Sequence, residues 1–126
     1  MPPQSRARVL FLEDEVLVNF STTQLLEEMG FEVLPAEQLA SAWKLVREQL
    51  PDAAVLDVNI HDRETSLELA DWLYARKVPI VFLTGYNTPA ITGKWRDHPT
   101  CRKPCSPEEL KGFLIEALGG GKQGAG

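Results

Sequence analysis

The sequence predicts an α/β fold in which helices cover both faces of a five-stranded parallel sheet. Apolar runs of strand length alternate with segments of helical period along the chain, which is the pattern of repeated βαβ units. Polar side chains end four of the apolar runs, as expected where the carboxyl ends of parallel strands meet at one rim of a sheet. These two observations also predict where a ligand would bind.

The first two units each combine a short apolar strand with an amphipathic helix. We place the first strand at residues 9–12 and its helix at residues 15–29, which Gly30 ends. The second strand is placed at residues 32–35 and its helix at residues 41–49. The stripes predicted to face the core are Val18, Thr22, Leu25, Leu26 and Met29 in the first helix, and Leu39, Ala42, Trp43, Val46 and Leu50 in the second.

The remaining strands are placed at residues 53–56, 80–83 and 100–102. A polar loop at residues 59–64 leads to a third helix, whose core face is predicted to consist of Leu67, Ala70, Leu73 and Tyr74. Residues 87–98 contain proline, glycine and β-branched residues, which lower helix propensity. The fourth helix is therefore expected to be short, irregular or mobile.

The last helix has a complete start signal. Ser106 is the predicted N-cap, Pro107 occupies the first helical position, and Glu109 closes a capping box. The side chains predicted to face the core are Leu110, Phe113, Leu114, Ala117 and Leu118.

The composition is that of one small domain. The chain has 126 residues, of which 44% are hydrophobic, enough for one core. We expect a leader over residues 1–7, a folded domain over residues 8–118 and a flexible glycine-rich tail over residues 119–126. A net charge of -5 without a dense basic cluster argues against direct DNA binding. No apolar run approaches the roughly 20 residues that cross a bilayer, so we predict a cytoplasmic protein without membrane association.

The two cysteines, Cys101 and Cys105, give a weak signal. Two cysteines are compatible with a disulfide or with a role as metal ligands. The chain, however, lacks both a disulfide framework and the histidine pair of a common zinc site. Because disulfides are rare in the cytosol, we expect reduced thiols with a structural or incidental role.

The polar residues that end the strands indicate phosphoryl transfer. Glu13 and Asp14 follow the first strand, Asp57 the third, Thr84 the fourth and Lys103 the fifth. In a flavodoxin-like three-layer sandwich with strand order 2-1-3-4-5, the first and third strands meet where the order reverses, and such sheets bind ligands there. Clustered carboxylates require a cation, and hard oxygen ligands favour Mg²⁺.

Each of these groups has a predicted task. Asp57 is the candidate nucleophile that forms an acyl phosphate. Asp14 and Asp57 are expected to bind Mg²⁺ directly, and Glu13 through water. Lys103 offers a positive charge to one phosphoryl oxygen, and the Thr84 hydroxyl with nearby backbone N–H groups takes another.

Two other classes fit these residues less well. A phosphohydrolase that passes through an aspartyl phosphate commonly needs an acid two residues after its nucleophile, where this chain has Asn59. A flavodoxin-like cofactor carrier would bind an anion at the rim, where the acidic residues 13–15 repel one.

With these residues in place, the chain resembles the receiver domains of bacterial two-component response regulators over about residues 8–118. Glu13 and Asp14 are similar to the family's acidic pair, Asp57 to its phospho-acceptor, and Asn59 to the residue whose backbone carbonyl binds the metal. Thr84 is similar to the switch hydroxyl, and Lys103 with Pro104 to a Lys-Pro pair whose peptide bond is usually cis. Residues 82–86 resemble the subgroup signature Phe-Ala-Thr-Gly-hydrophobic-Tyr, with Leu83 in place of the Ala. Gly85 and Tyr86 therefore join the phosphoryl-stabilising and switch residues.

The resemblance implies a phospho-acceptor switch, with at most slow self-dephosphorylation, and no turnover enzyme. Its partners would be a sensor histidine kinase, of the HWE or a related type in this subgroup, or a phosphotransfer protein, and then a downstream protein. We expect a monomer or weak homodimer. A degenerate receiver that binds partners without phosphorylation is the alternative.

Two positions depart from the family pattern. Thr100 stands where many receivers have an aromatic switch residue, and Tyr86 is our hypothesis for its replacement. Cys105 stands where an aromatic residue commonly follows Lys-Pro, which predicts looser packing at the start of the last helix.

Overall fold

A five-stranded parallel sheet organises the chain, for which a computed structural model describes residues 6–60, 64–85 and 93–120. The strands are β1 (Arg8–Leu12), β2 (Glu32–Ala36), β3 (Ala53–Asp57), β4 (Ile80–Thr84) and β5 (Thr100–Arg102). Their order is β2-β1-β3-β4-β5, and every neighbouring pair is parallel. The predicted fold class and strand order are confirmed.

Helices cover both faces of the sheet. They are α1 (Val16–Glu28), α2 (Leu39–Glu48), α3 (Leu67–Ala75) and α4 (Pro107–Ile115). Asn59–Ile60 and Glu64–Thr65 form a short antiparallel ribbon between β3 and α3. In the described part of the predicted irregular segment, Gly93–Trp95 forms a single 3₁₀ turn. Among the described residues, no helix has the length and apolar character needed to cross a bilayer.

The start of α4 agrees with its sequence signal. The Ser106 hydroxyl accepts a hydrogen bond from the Glu109 N–H, and the Glu109 carboxylate accepts one from the Ser106 N–H, so the capping box is complete. After α4, Glu116–Gly120 continues as one turn of π-helix. This turn extends two residues beyond the predicted domain end at residue 118. Residues 1–5 of the predicted leader and residues 121–126 of the predicted tail lie outside the described chain.

Two apolar clusters hold the layers together, one on each face of the sheet. Leu10 and Leu12 of β1 face the cluster under α2 and α3, whereas Val9 and Phe11 face the cluster under α1 and α4. A parallel sheet covered on both faces needs such continuous apolar strands. All five residues of β3 are buried as a result, so its last residue, Asp57, emerges at the rim from a rigid strand.

Parts of the predicted inward stripes are wrong. In α1 the buried residues are Asn19, Thr22 and Leu26, while Val18 and Leu25 are 41% and 40% exposed. The prediction followed apolar residues alone, whereas the buried face of α1 is centred on a polar residue with backbone partners. Leu50 lies beyond the end of α2 and is exposed.

The predicted core face of α3 also needs a correction. Leu69 is fully buried there together with Ala70 and Leu73, whereas Tyr74 is exposed. The Tyr74 ring packs edge-on against Trp95 and His98 at the margin of the sheet, so this aromatic side chain has neighbours outside the main stripe.

Asn19 joins the first two strand ends. Its Nδ2 group donates hydrogen bonds to the Glu13 carbonyl at 3.0 Å and to the Ala36 carbonyl at 2.9 Å, in a buried position. The amide therefore fixes the loop that follows β1 against the end of β2.

Replacing Asn19 is expected to destabilise the fold. Asn19→Ala removes both donors and leaves a buried carbonyl unsatisfied, which typically costs about 2 kcal/mol. Urea denaturation of this variant should show that loss, whereas Gln24→Ala, at an exposed site of the same helix, should stay within roughly 0.5 kcal/mol of the parent. Equal stabilities for the two variants would contradict the tethering role.

Candidate functional site

Three carboxylates meet at the carboxyl rim of the sheet. Glu13 and Asp14 follow β1, and Asp57 ends β3, the strand that pairs with β1. One carboxylate oxygen from each lies within 4.8 Å of the other two. Glu13 and Asp57 are buried, and Asp14 is partly exposed. Like charges this close and this buried repel one another, so the cluster is suited to cations.

Lys103 brings a positive charge to this cluster. Its Nζ atom lies 2.7 Å from Asp57 Oδ2 and 3.0 Å from Glu13 Oε1. The Lys103 N–H donates to the Thr84 carbonyl at 2.7 Å, which fixes the residue after β5 beside the end of β4. The Lys103–Pro104 peptide bond is cis. The structure thus gathers four of the predicted site residues around one point.

The oxygen donors of the cluster suit a divalent cation. Glu13 Oε2 accepts a hydrogen bond from the Glu15 N–H at 2.9 Å. The buried Glu13 Oε1 atom is paired with Lys103 Nζ at 3.0 Å. Three carboxylates against one ammonium leave the cluster with surplus negative charge. Hard oxygen donors of this kind fit Mg²⁺.

The pKa values of Asp57 and Lys103 follow from this crowding. Burial raises the pKa of Asp57 from 3.8 to about 6, against the opposing hydrogen bond and charge of Lys103, and the charges of Glu13 and Asp14 add to the rise. Burial lowers the pKa of Lys103, but its hydrogen bonds and ion pairs with Asp57 and Glu13 outweigh that effect and raise it. At neutral pH both groups are predominantly charged.

The metal-free protein is expected to lose stability as the pH rises from about 4 to 6. The pKa of Asp57 is about 6 in the folded protein, against 3.8 for an unperturbed aspartate, the value expected in the unfolded chain. Between these two pH values the folded state holds more protons than the unfolded state, so stability falls as the pH rises. The effect is on the order of 1–3 kcal/mol.

This pH dependence is best measured as a difference. Urea denaturation at several pH values, with a chelator present, compares the parent with Asp57→Asn. The parent should lose stability relative to the variant across this window. Parallel curves for the two proteins would contradict the raised pKa.

The other predicted site residues lie around the same rim. Thr84 is half-buried at the end of β4, directly after Leu83, which is in register with Asp57. Gly85 lines a cavity of about 330 Å³ together with Glu13 and Lys103.

Asn59 lies two residues past Asp57, in the ribbon, where it pairs with Thr65. Tyr86 lies outside the described residues, so its proposed aromatic role stays a prediction.

One supporting residue next to the nucleophile candidate was not predicted from the sequence. Ser66 is fully buried, and its hydroxyl donates to the Asp57 carbonyl at 2.7 Å. Its N–H donates to the Val58 carbonyl at 2.9 Å. A serine before a helix is usually read as a cap, but here the hydroxyl ties the start of α3 to the end of β3.

The expectation of reduced thiols is wrong for this structure, in which Cys101 and Cys105 form a disulfide. The prediction relied on the rarity of cytosolic disulfides and on the missing framework. The turn through Lys103 and Pro104 brings the two Cα atoms to 5.9 Å, within the range that a bridge requires. Cys105 packs against the cluster under α1 and α4.

Comparison with known proteins identifies the family. The sequence matches the profile of the response regulator receiver domain over residues 9–113. The chain belongs to this family. It is 29% identical over 115 residues to the phyllosphere-induced regulator PhyR of Methylorubrum extorquens, a match that covers 87% of this chain and 43% of PhyR. The chain thus spans less than half the length of that relative.

Other relatives match this receiver along most of their length. Protein PilH of Pseudomonas aeruginosa is 26% identical over 122 residues, which cover 90% of this chain and 99% of PilH. A response regulator receiver domain protein of Clostridium thermocellum superimposes with a TM-score of 0.78 at 21% identity, over 89% of this chain and 94% of that one. The likeness to the Clostridium thermocellum protein shows the shared fold. The family match identifies the chain as a receiver domain of two-component signalling.

Proposed function

We propose that this receiver accepts a phosphoryl group on Asp57, in a Mg²⁺-dependent reaction, and then signals by altered contact with a partner protein. The donor is a phospho-histidine of a sensor kinase, of the HWE or a related type, or of a phosphotransfer protein. The main support is the 2.7 Å contact between Lys103 Nζ and the buried Asp57 carboxylate, inside a cluster of three acids.

The transfer needs a nucleophile and a place for the charge on the phosphoryl oxygens. An Asp57 oxygen attacks phosphorus, the bond from phosphorus to the donor imidazole nitrogen breaks, and that nitrogen keeps the electron pair. Lys103 is positioned to attract one phosphoryl oxygen, and the Thr84 hydroxyl with the Gly85 N–H is assigned to another.

Asp14 and Asp57, with Glu13 through water and the backbone carbonyl of Asn59, would hold the magnesium ion. When bound, the ion supplies positive charge that offsets the carboxylates and the incoming phosphoryl group. The surplus negative charge of three clustered carboxylates beside one ammonium supports this assignment, because hard oxygen donors with excess negative charge favour such a cation.

The receiver is proposed to be a switch rather than a turnover enzyme. Asn59, two residues after Asp57, is an amide, which is too weakly acidic to protonate a leaving oxygen. We further propose a cytoplasmic location, where sensor kinases keep their phospho-histidine, and a monomer or weak homodimer.

The test is phosphorylation of the purified chain by a small phosphoryl donor such as phosphoramidate, and by candidate kinases, with Mg²⁺ or with a chelator. Intact mass should show one added phosphoryl group only with Mg²⁺, and hydroxylamine should remove it, as it does for an acyl phosphate. A folded chain that takes no phosphoryl group from any donor would favour the degenerate receiver. Sustained hydrolysis of a phosphomonoester would favour the enzyme.

A further inference from the structure

We infer that Cys101 and Cys105 are a reversible redox pair that controls how firmly Lys103 is held against the acidic cluster, an inference that rests on the phosphoryl transfer proposed above. Cys101 is in β5, and Cys105 directly precedes the N-cap of α4. The bridge spans four positions. Lys103 is the middle residue of the loop that the bridge closes.

The bridge restricts the backbone from which the Lys103 side chain extends. The loop starts at a sheet strand and ends at the capped helix α4, and the Lys103 N–H is bound to the Thr84 carbonyl. With the bridge intact, both flanks of Lys103 are fixed. After reduction, residues 103–105 gain conformers, and ordering a long side chain such as lysine then costs more entropy.

Lys103 makes two contacts that depend on this order. Its Nζ atom must lie near Asp57 Oδ2 and Glu13 Oε1 at once, at 2.7 and 3.0 Å. A freer loop keeps both contacts for a smaller fraction of the time. Since a positioned charge accelerates a reaction only while it stays positioned, the oxidised receiver should accept phosphoryl groups faster than the reduced one.

The length of the bridged loop favours regulation over simple stabilisation. A disulfide stabilises a fold mainly by restricting the unfolded chain, and short loops gain least from this effect. The bridge joins neighbouring segments four positions apart, so its main effect is local. In a reducing compartment, disulfides are usually transient, catalytic or redox-sensing.

Reduction has a route through the cavity beside the site. Cys101 is buried, whereas Cys105 is half-buried and lines the cavity that Lys103 also lines. A thiolate of a dithiol reductant attacks Cys105 Sγ, and Cys101 leaves as a thiolate. The second thiol of the reductant then displaces Cys105, so the receiver gains two electrons and two protons while the reductant becomes a disulfide.

The test compares phosphorylation rates of oxidised and reduced protein. Each form, checked by alkylation and intact mass, is incubated with phosphoramidate and Mg²⁺. We expect the oxidised form to react roughly 3- to 30-fold faster, less than the 10²–10³ lost when a fixed donor is removed. Cys105→Ser should react at the reduced rate and ignore the reductant. Cys101→Ala with Cys105→Ser provides a second bridge-free variant if a lone Cys101 thiol affects folding.

Several outcomes would overturn the inference. These are equal rates in the two redox forms, a bridge that a dithiol cannot reduce without denaturant, or a reduced form that binds zinc through Cys101, Cys105 and Glu109 and no longer reoxidises.

If neither form is phosphorylated, the proposed function fails, and amide NMR then tests the redox inference by itself. Signal shifts at Glu13 and Asp57 on reduction would support it, and shifts confined to residues 101–105 would refute it.

Discussion

Asp57→Asn is expected to reduce phosphoryl incorporation to background, a loss of more than about 10³-fold. An amide of the same size cannot attack phosphorus through a carboxylate oxygen, whereas the buried end of β3 can hold it in the same place. The fold should therefore be retained. The variant also avoids the cost of burying a negative charge beside two other carboxylates, the same cost that raises the pKa of Asp57 in the parent.

Intact mass after incubation with phosphoramidate and Mg²⁺ gives the measurement. Asp71→Asn, at an exposed position of α3, is the matched control and should label at the parent rate. Amide NMR spectra of both variants confirm that they fold. Parent-level labelling of Asp57→Asn would move the acceptor to another carboxylate, with Glu13 and Asp14 the first to examine.

The strand order and the site were predictable for the same reason. Each unit of the sheet has an apolar run that a polar residue ends, and the right-handed βαβ rule leaves few ways to connect such units. Once β1 and β3 are neighbours, Asp14 and Asp57 must share a rim. The contacts between Lys103 and two of the carboxylates follow from this placement.

Side-chain details that depend on polar partners were less predictable. Asn19 and Ser66 are polar residues in buried positions, and each is there because a backbone carbonyl at a strand end needs a donor. An apolar pattern cannot signal such a bond. The same limit explains why the apolar pattern predicts Val18 on the buried stripe of α1, whereas this residue is exposed.

The disulfide shows a different limit. The redox compartment determines how often disulfides occur in its proteins, but whether two particular cysteines pair depends on the distance between their Cα atoms. Here that distance is set by the turn through Lys103 and Pro104, which places Cys105 back beside β5. Sequence spacing alone did not contain this information.

Lys103→Ala is expected to slow phosphorylation by about 10²-fold, the usual loss when one fixed charge-stabilising group is removed. It should also change stability, because Asp57 and Glu13 lose their ammonium partner in a buried site. With Lys103 partly exposed, the destabilisation of the metal-free protein is on the order of 1–3 kcal/mol. Added Mg²⁺ should restore much of this stability and little of the rate.

A conservative variant separates charge from shape. Lys103→Arg keeps the positive charge but replaces a compact ammonium with a planar fork, so it should restore stability more fully than rate. Lys44→Ala, at an exposed site of α2, is the control and should change neither. If Lys103→Ala reacted as fast as the parent, the 2.7 Å contact with Asp57 would be a structural ion pair alone. The charge that stabilises the transferred group would then have to come from the metal and the backbone N–H groups.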